Sequence, residues 1–159
     1  MKKQISYTLE KATKKDLPGM IRLEQKLADY HHALDKYWLD GGKMKIKFTN
    51  YLTKGIRRRN SLWLVSKVEG KTVGLFHASI HKKHGICVNQ IGDIVDAFVL
   101  KEYRGCGMAK AAMQLFAKWF KARKIRMVEL SVATLNDIGI KSWQSLGFKE
   151  YLKHFKLTL

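Results

Sequence analysis

The 159-residue sequence predicts an α/β fold: a mixed, mostly antiparallel central sheet with helices on both faces, its elements in the order β-α-α-β-β-β-α-β-α-β. Three observations predict it. Apolar residues recur twice at helical spacing in the first third of the chain. Short apolar runs joined by turn residues fill the middle. A strand, a glycine-bearing turn and an amphipathic helix follow one another in the last third. With 46% hydrophobic residues and a length typical of one domain, the chain reads as a single domain over 1–159, able to fill its core without cross-links.

The elements follow in order. After an opening strand, Asp16 is a good helix N-cap and Pro18 suits a first turn, so a helix is placed over 17–34. Its inner face carries Leu17, Met20, Leu23 or Glu24, Leu27, and Tyr30 or His31. Gly41-Gly42 reads as a break. A second helix is expected over 43–59, with Met44, Phe48, Tyr51, Leu52 and Ile56 on one face. Arg57-Arg58-Arg59 at its end suits the negative pole of the helix dipole. Residues 61–67 and 72–80 form a hairpin about Glu69-Gly70, and 82–90 a loop. Residues 92–100 alternate, with Ile94, Asp96, Phe98 and Leu100 on one side and Val95, Ala97 and Val99 on the other. A helix from Gly107 buries Met108, Ala112, Leu115, Trp119 and Ala122. A strand over 127–132, a short helix over 137–146 stopped by Gly147, and a last strand over 148–157 complete the chain.

Charge narrows the partners. Lys and Arg number 31 against 13 Asp and Glu, a net charge of +18 that attracts polyanions. The charge is blocked: residues 41–60 hold seven basic residues and no acid, and residues 101–126 hold eight against Glu102 alone. No apolar run reaches the ~18 residues a membrane span needs. The N-terminal lysines have no apolar segment behind them, so no secretory signal is read. Cys87 and Cys106 make neither a disulfide framework nor a zinc site. These readings place the protein in the cytoplasm, off the membrane, as a monomer or homodimer.

The turn Arg104-Gly105-Cys106-Gly107-Met108-Ala109 lies between a strand and a helix. Unpaired N–H groups and the positive dipole end at a helix start favour an anion, glycines let backbone approach it, and Arg104 adds a forked cationic donor. The turn has neither the Lys-Ser/Thr of a P-loop nor GxGxxG spacing. With Asp96-Ala-Phe-Val99 before it, the stretch resembles the hallmark motif of the GNAT superfamily of N-acetyltransferases, R/Q-x-x-G-x-G/A after a strand. Asn136-Asp-Ile-Gly139-Ile-Lys-Ser-Trp143-Gln-Ser-Leu-Gly147-Phe148 resembles that family's N-x-x-A-x-x-x-Y-x-x-x-G-F. The element order is similar too, although the N-terminal third matches only in layout.

The resemblance implies acetyl-CoA as cosubstrate and a primary amine, on a small molecule or protein, as acceptor. Phe98 and Val99 would present main chain to the pantetheine arm. Arg104, Gly105, Cys106, Gly107, Met108 and Ala109 would hold the pyrophosphate. Asn136, with Gly139 and Trp143 on the same helical face, would meet the pantetheine. Two positions depart from the pattern. Trp143 stands where the family often has a tyrosine that protonates the leaving thiolate, and indole has no such proton to give. Gly139 stands where alanine is common, explained equally by close cofactor approach or by tolerance. Cys106 reads as a loop position rather than a nucleophile.

Asp96 is the candidate general base, on an apolar strand face where partial desolvation favours proton uptake; the alternative reading is a structural acid paired with a nearby Arg or Lys. His31, His32, Asp35, Tyr37 and Trp38 form the candidate acceptor pocket, with aromatic walls and an acidic floor. Adjacent histidines diverge on a helix and no third ligand is evident, so no metal is expected. A second class of function follows from the charge blocks: a basic protein that contacts nucleic acid through Arg57-Arg58-Arg59 and residues 118–126 and uses the same fold without catalysis.

Overall fold

The computed structural model describes residues 5–159; the lysine-bearing N-terminus read above for a signal lies outside them, in part, at 1–4. The elements are β1 (Thr8–Lys11), α1 (Leu17–Leu34), α2 (Gly41–Gly55), β2 (Ser61–Val68), β3 (Lys71–Lys82), β4 (Gln90–Val99), α3 (Met108–Ala122), β5 (Val128–Leu130) and α4 (Asp137–Ser145). The five strands form one sheet in the order β1-β2-β3-β4-β5. The first three pairings are antiparallel, and β4–β5 is parallel.

The strand faces divide the core in two. Met20 and Leu23 of α1 and Leu52 of α2 pack on Trp63, Val65 and Leu75. On the other face Ala112, Phe116 and Phe120 of α3 pack on Leu64, Phe76, Ala78, Ile80 and Ile94. Alternation along β2 and β3 makes this division, each strand sending successive side chains to opposite layers. No helix among the described residues is long and apolar enough to cross a membrane.

Several expectations need correction. Gly41-Gly42 does not break the chain: α2 begins at Gly41, capped by Asp40, whose carboxylate accepts the Lys43 N–H at 3.1 Å, while the Gly41 N–H reaches Asp29 Oδ1 at 2.7 Å. The helix also ends at Gly55, leaving Arg57-Arg58-Arg59 in the turn before β2. Asp16 does not cap α1 with its side chain; its carboxylate turns back to the Thr13 N–H and hydroxyl at 2.8 and 2.9 Å. In α3 the buried stripe is Met108, Ala112, Phe116 and Phe120, with Leu115 and Ala122 exposed. A spacing of four placed on this sheet selects the phenylalanines. β5 is only three residues long. Residues 149–159 form no strand; all are exposed, and Phe155 and Leu157 face solvent although they alternate with polar residues. Period two makes a strand possible, but a ladder partner makes it form.

The alternation in β4 is interrupted. His77 pairs with Asp96 and Ala78 with Ile94, so Val95 is an extra residue, a β-bulge. Ile94 therefore faces α3 with Ala97 and Val99, whereas Asp96 and Phe98 face the α1–α2 layer. The expected grouping of Ile94 with Asp96 is overturned by this single inserted residue.

Candidate active site

The site begins where β4 and β5 part. Their parallel register runs from Gly92↔Val128 to Ile94↔Leu130 and stops. Beyond Ile94, β4 continues through the bulge paired on the β3 side alone, to Gly74↔Val99. The Leu100 N–H bonds the Val73 carbonyl at 2.9 Å, so in this ladder Phe98 turns its backbone to β3 and Val99 turns its backbone to the vacated β5 side; of the two positions singled out for the pantetheine arm, Val99 is the one without a strand partner.

At the end of β4 the chain makes a short 3-10 turn over Lys101–Tyr103 and enters α3 through the glycine turn. Gly105 and Gly107 have φ of +79° and +84°, a left-handed conformation that non-glycine residues adopt at a cost. Gly107 caps α3, and its carbonyl takes the Ala111 N–H at 3.0 Å. The N–H groups of Met108, Ala109 and Lys110 precede the first helical hydrogen bond, so the turn fits an anion. Arg104 does not reach forward into it. Its Nε donates to the Val99 carbonyl at 2.9 Å, and its guanidinium lies 5.6 Å from the Phe98 ring and 5.9 Å from the Tyr30 ring. It lines a groove of about 680 Å³ between α1 and the end of β4, with Arg22, Lys26, Tyr30 and Phe98. Cys106 is half-buried within the turn.

α4 completes this end. Asn136 is its N-cap: Oδ1 accepts the Gly139 N–H at 2.9 Å and the Tyr30 hydroxyl of α1 at 2.8 Å. A Cβ on Gly139 would lie 2.5 Å from Asn136 Nδ2, so the capping side chain itself accounts for glycine there. Trp143 packs against the α3-side core and meets Phe148 edge-on, with ring centroids 5.6 Å apart. The Tyr30 contact was not foreseen, because no local pattern joins a residue of α1 to one 106 positions later.

Asp96 sits at the bulge. The sequence alternative of an Arg or Lys partner is not what the structure shows: Asp96 Oδ2 lies 3.2 Å from His77 Nδ1 and accepts the Tyr51 hydroxyl at 3.3 Å. The Tyr51 oxygen is also 3.0 Å from His77 Nδ1, and His77 Nε2 is 2.8 Å from Ser61 Oγ. The His77 ring stacks on Trp63 at 3.7 Å with planes 7° apart. Glu24 of α1 joins the cluster, 3% exposed, with Oε1 lacking a partner. Burial pushes its carboxyl up to about 9, and the charge of Asp96 pushes the same way. Burial, then the charges of Asp96 and Glu24, likewise raise the Tyr51 phenol. Sequence reasoning missed Glu24, Tyr51, His77 and Ser61; only their polarity within apolar stripes hinted at them.

The expected acceptor residues divide. His31, Trp38 and Tyr37 do form an aromatic wall, with centroid separations of 5.8 Å and 5.5 Å. Burial lowers the His31 pKa, opposed by the charge of Asp96. Asp35 is no pocket floor: its carboxylate binds Lys156 Nζ at 2.7 Å and the Tyr37 N–H at 3.0 Å. His32 turns to the Trp38 carbonyl. Among the described residues, no group of three or more His, Cys, Asp or Glu is placed to hold a metal.

A strand that splays from its parallel neighbour, ends in a glycine-capped turn into a helix and carries a carboxylate at a bulge defines this end of the mixed sheet. The model of the acetyltransferase (GNAT) family matches residues 20–148, and the chain belongs to that family. It is similar to an uncharacterised N-acetyltransferase of Methanocaldococcus jannaschii, 29% identical over 145 residues that make up 91% of this chain and 62% of the relative; the chain thus spans less than two thirds of that protein. Among solved structures it is similar to an aminoglycoside 6'-N-acetyltransferase from Acinetobacter haemolyticus, with a TM-score of 0.79, 19% identity and coverage of 96% of this chain and 97% of that one. A second aminoglycoside N-acetyltransferase, in complex with CoA, gives 0.80 at 17% identity, covering 100% and 98%. At these identities the likeness is one of fold.

Proposed function

We propose that this protein is an N-acetyltransferase that moves the acetyl group of acetyl-CoA to a primary amine by direct transfer in a ternary complex. The observation that carries the reading is the placement of Asp96 at the β4 bulge, where β5 has left the strand, a short stretch before the Arg104–Ala109 glycine turn. The pyrophosphate would meet the α3 N–H groups, the pantetheine the open side of β4, and Asn136 its amide. Relatives whose structures hold CoA or act on aminoglycosides support this assignment.

In the reaction Asp96 takes one proton from the acceptor ammonium, and the neutral amine then attacks the thioester carbon; the second nitrogen proton passes to the departing sulfur or to water as the C–S bond breaks. Main-chain N–H groups near Val99 stabilise the oxyanion. The C–S bond then breaks, and CoA leaves as thiol or thiolate. Trp143 supplies no proton; it packs. The Asp96 carboxylate, beside the His31 and Trp38 rings, suits an amine acceptor entering past them.

The test is a thermal-shift titration with acetyl-CoA followed by an amine-library screen for CoA release. Acetyl-CoA raises Tm by ligand linkage, and at least one amine is acetylated. Asp96→Asn lowers kcat at least a hundredfold with acetyl-CoA affinity within about twofold. No shift and no transfer would overturn the assignment, and an active Asp96→Asn would remove Asp96 from it.

A second reading rests on one observation. Lys43, Lys45, Lys47 and Lys54 of α2, with Arg57, Arg58 and Arg59 after it, are all exposed. Such a face suits a nucleic-acid backbone. Binding to single-stranded RNA that weakens steeply between 50 and 200 mM salt, as about tenfold or more per few phosphates contacted, supports it; salt-insensitive or absent binding rejects it.

A further inference from the structure

We propose that His77 is a positioning residue that fixes the reactive orientation of Asp96, with Ser61 and Trp63 holding the imidazole in place. The proposal rests on the reading above that Asp96 takes the proton of the amine.

Four contacts determine the ring. Trp63 fixes its plane by stacking at 3.7 Å. Ser61 Oγ, 2.8 Å from Nε2, fixes its far edge. Tyr51 and Asp96 meet Nδ1 at 3.0 and 3.2 Å. An ionised carboxylate only accepts, so the Asp96 contact requires a proton on Nδ1; in the neutral ring Nε2 then accepts the Ser61 hydroxyl hydrogen bond. This is one tautomer set by both ends of the ring. His77 is only 5% exposed, so solvent does not compete for either nitrogen.

The consequence falls on Asp96. His77 and Tyr51 both engage Oδ2. Oδ1 carries no hydrogen bond to a described residue and is the oxygen presented to the amine. A carboxylate on an otherwise rotatable side chain is thereby held with one oxygen engaged and the other turned to the acceptor. Because Val95 is the extra residue of the bulge, Asp96 lies directly opposite His77, and the same irregularity that turns the acid inward brings its orienting partner alongside. A histidine that merely fills the core would satisfy the same contacts without any effect on turnover, and the two roles separate experimentally.

The asparagine amide nitrogen superposes on histidine Nδ1, and the glutamine amide nitrogen on Nε2. His77→Asn therefore keeps the donor toward Asp96 and loses the Ser61 end. His77→Gln does the reverse. Both lose the Trp63 stack, so both lose similar thermal stability. The expected result is a kcat for His77→Gln lowered at least tenfold with the KM for acetyl-CoA unchanged, and a kcat for His77→Asn within about threefold of wild type. Equal losses in the two variants, or retention by His77→Gln, would overturn the proposal. A measurement free of activity accompanies these: nitrogen-15 chemical shifts of the His77 ring show the Nδ1–H tautomer in the wild type, and Asp96→Asn disturbs it. A ring protonated on Nε2 alone would overturn the proposal even in an active enzyme. Absence of acetyl transfer to any amine in wild type, with the Nδ1–H tautomer present, would instead remove the enzymatic reading and with it any catalytic purpose for the arrangement.

Discussion

At the scale of single residues, the cluster around Asp96 links chemistry to stability through Glu24. Its folded pKa, about 9, lies above the ordinary 4.5, so the folded chain binds the proton more tightly than the unfolded one. Stability from this group is complete below the ordinary value and is lost as pH rises through the folded one. Glu24→Gln carries no proton to lose. In thermal unfolding from pH 5 to pH 9, the variant gains on the wild type as pH rises; a constant difference would mean that Glu24 is already charged when folded. Trp143 gives a second prediction. Its contacts are packing contacts with Phe148 and the core. Trp143→Phe retains kcat within about tenfold with CoA binding intact, consistent with an unassisted thiolate whose pKa resembles that of cysteine, roughly 8.5; a deeper loss in steady-state kinetics would give the indole a role in turnover.

At the scale of elements, the turn into α3 holds at once a backbone requirement and a binding requirement. Gly107→Ala places a side chain at φ of +84° and costs about 1–2 kcal/mol. Denaturant unfolding measures that cost, and isothermal titration shows weaker acetyl-CoA binding. The same element shows what sequence can reveal. Spans of α1, α4 and the hairpin were readable because caps, glycines and periodicity are local. The glycine turn and Asn136 were readable because their chemistry is carried by neighbours in sequence. The Val95 bulge was not, since an inserted residue in a ladder is defined by the strand opposite. For that reason Asp96 could be singled out from its own strand, while its contacts with His77 and Tyr51 could not be read. The Gly41-Gly42 pair misled because two glycines resemble a break unless one knows that Asp29 and Asp40 wait to take the first N–H groups.

At the scale of the whole molecule, the two core layers are complete without the last eleven residues. Residues 149–159 are all exposed, and their ties to the body are surface contacts: Lys156 with Asp35 just after α1, side chains 64% and 35% exposed, and Tyr151, whose hydroxyl accepts from Lys83 Nζ at 3.2 Å. Surface pairs of this kind contribute about 0–1 kcal/mol. Truncation after Phe148 therefore removes only surface contacts and leaves the denaturation midpoint little changed, as chemical denaturation will show. A larger loss would mean that these residues cover something in solution. The expected last strand failed at this scale too: the segment has the right alternation, but the sheet ends at β5 and presents it no paired edge.

The hydrogen bond between Tyr30 and Asn136 has one more consequence. In the cofactor reading, Asn136 is asked to serve two partners: the phenol that already occupies its Oδ1 and the pantetheine that must approach the same side chain. If the pantetheine bonds Oδ1, binding competes with Tyr30; if it bonds the amide Nδ2, it does not. A hydrogen bond of this kind is worth about 0.5–1.5 kcal/mol net, or roughly a two- to tenfold change in an equilibrium constant. Tyr30→Phe should lower the melting temperature of the free protein and, in calorimetric titration, tighten acetyl-CoA binding within that range. Opposite signs would mean that the one hydrogen bond joining α1 to the cap of α4 both stabilises the free protein and occupies the Asn136 oxygen that the cofactor uses; an unchanged affinity would assign the pantetheine to Nδ2 or to neither.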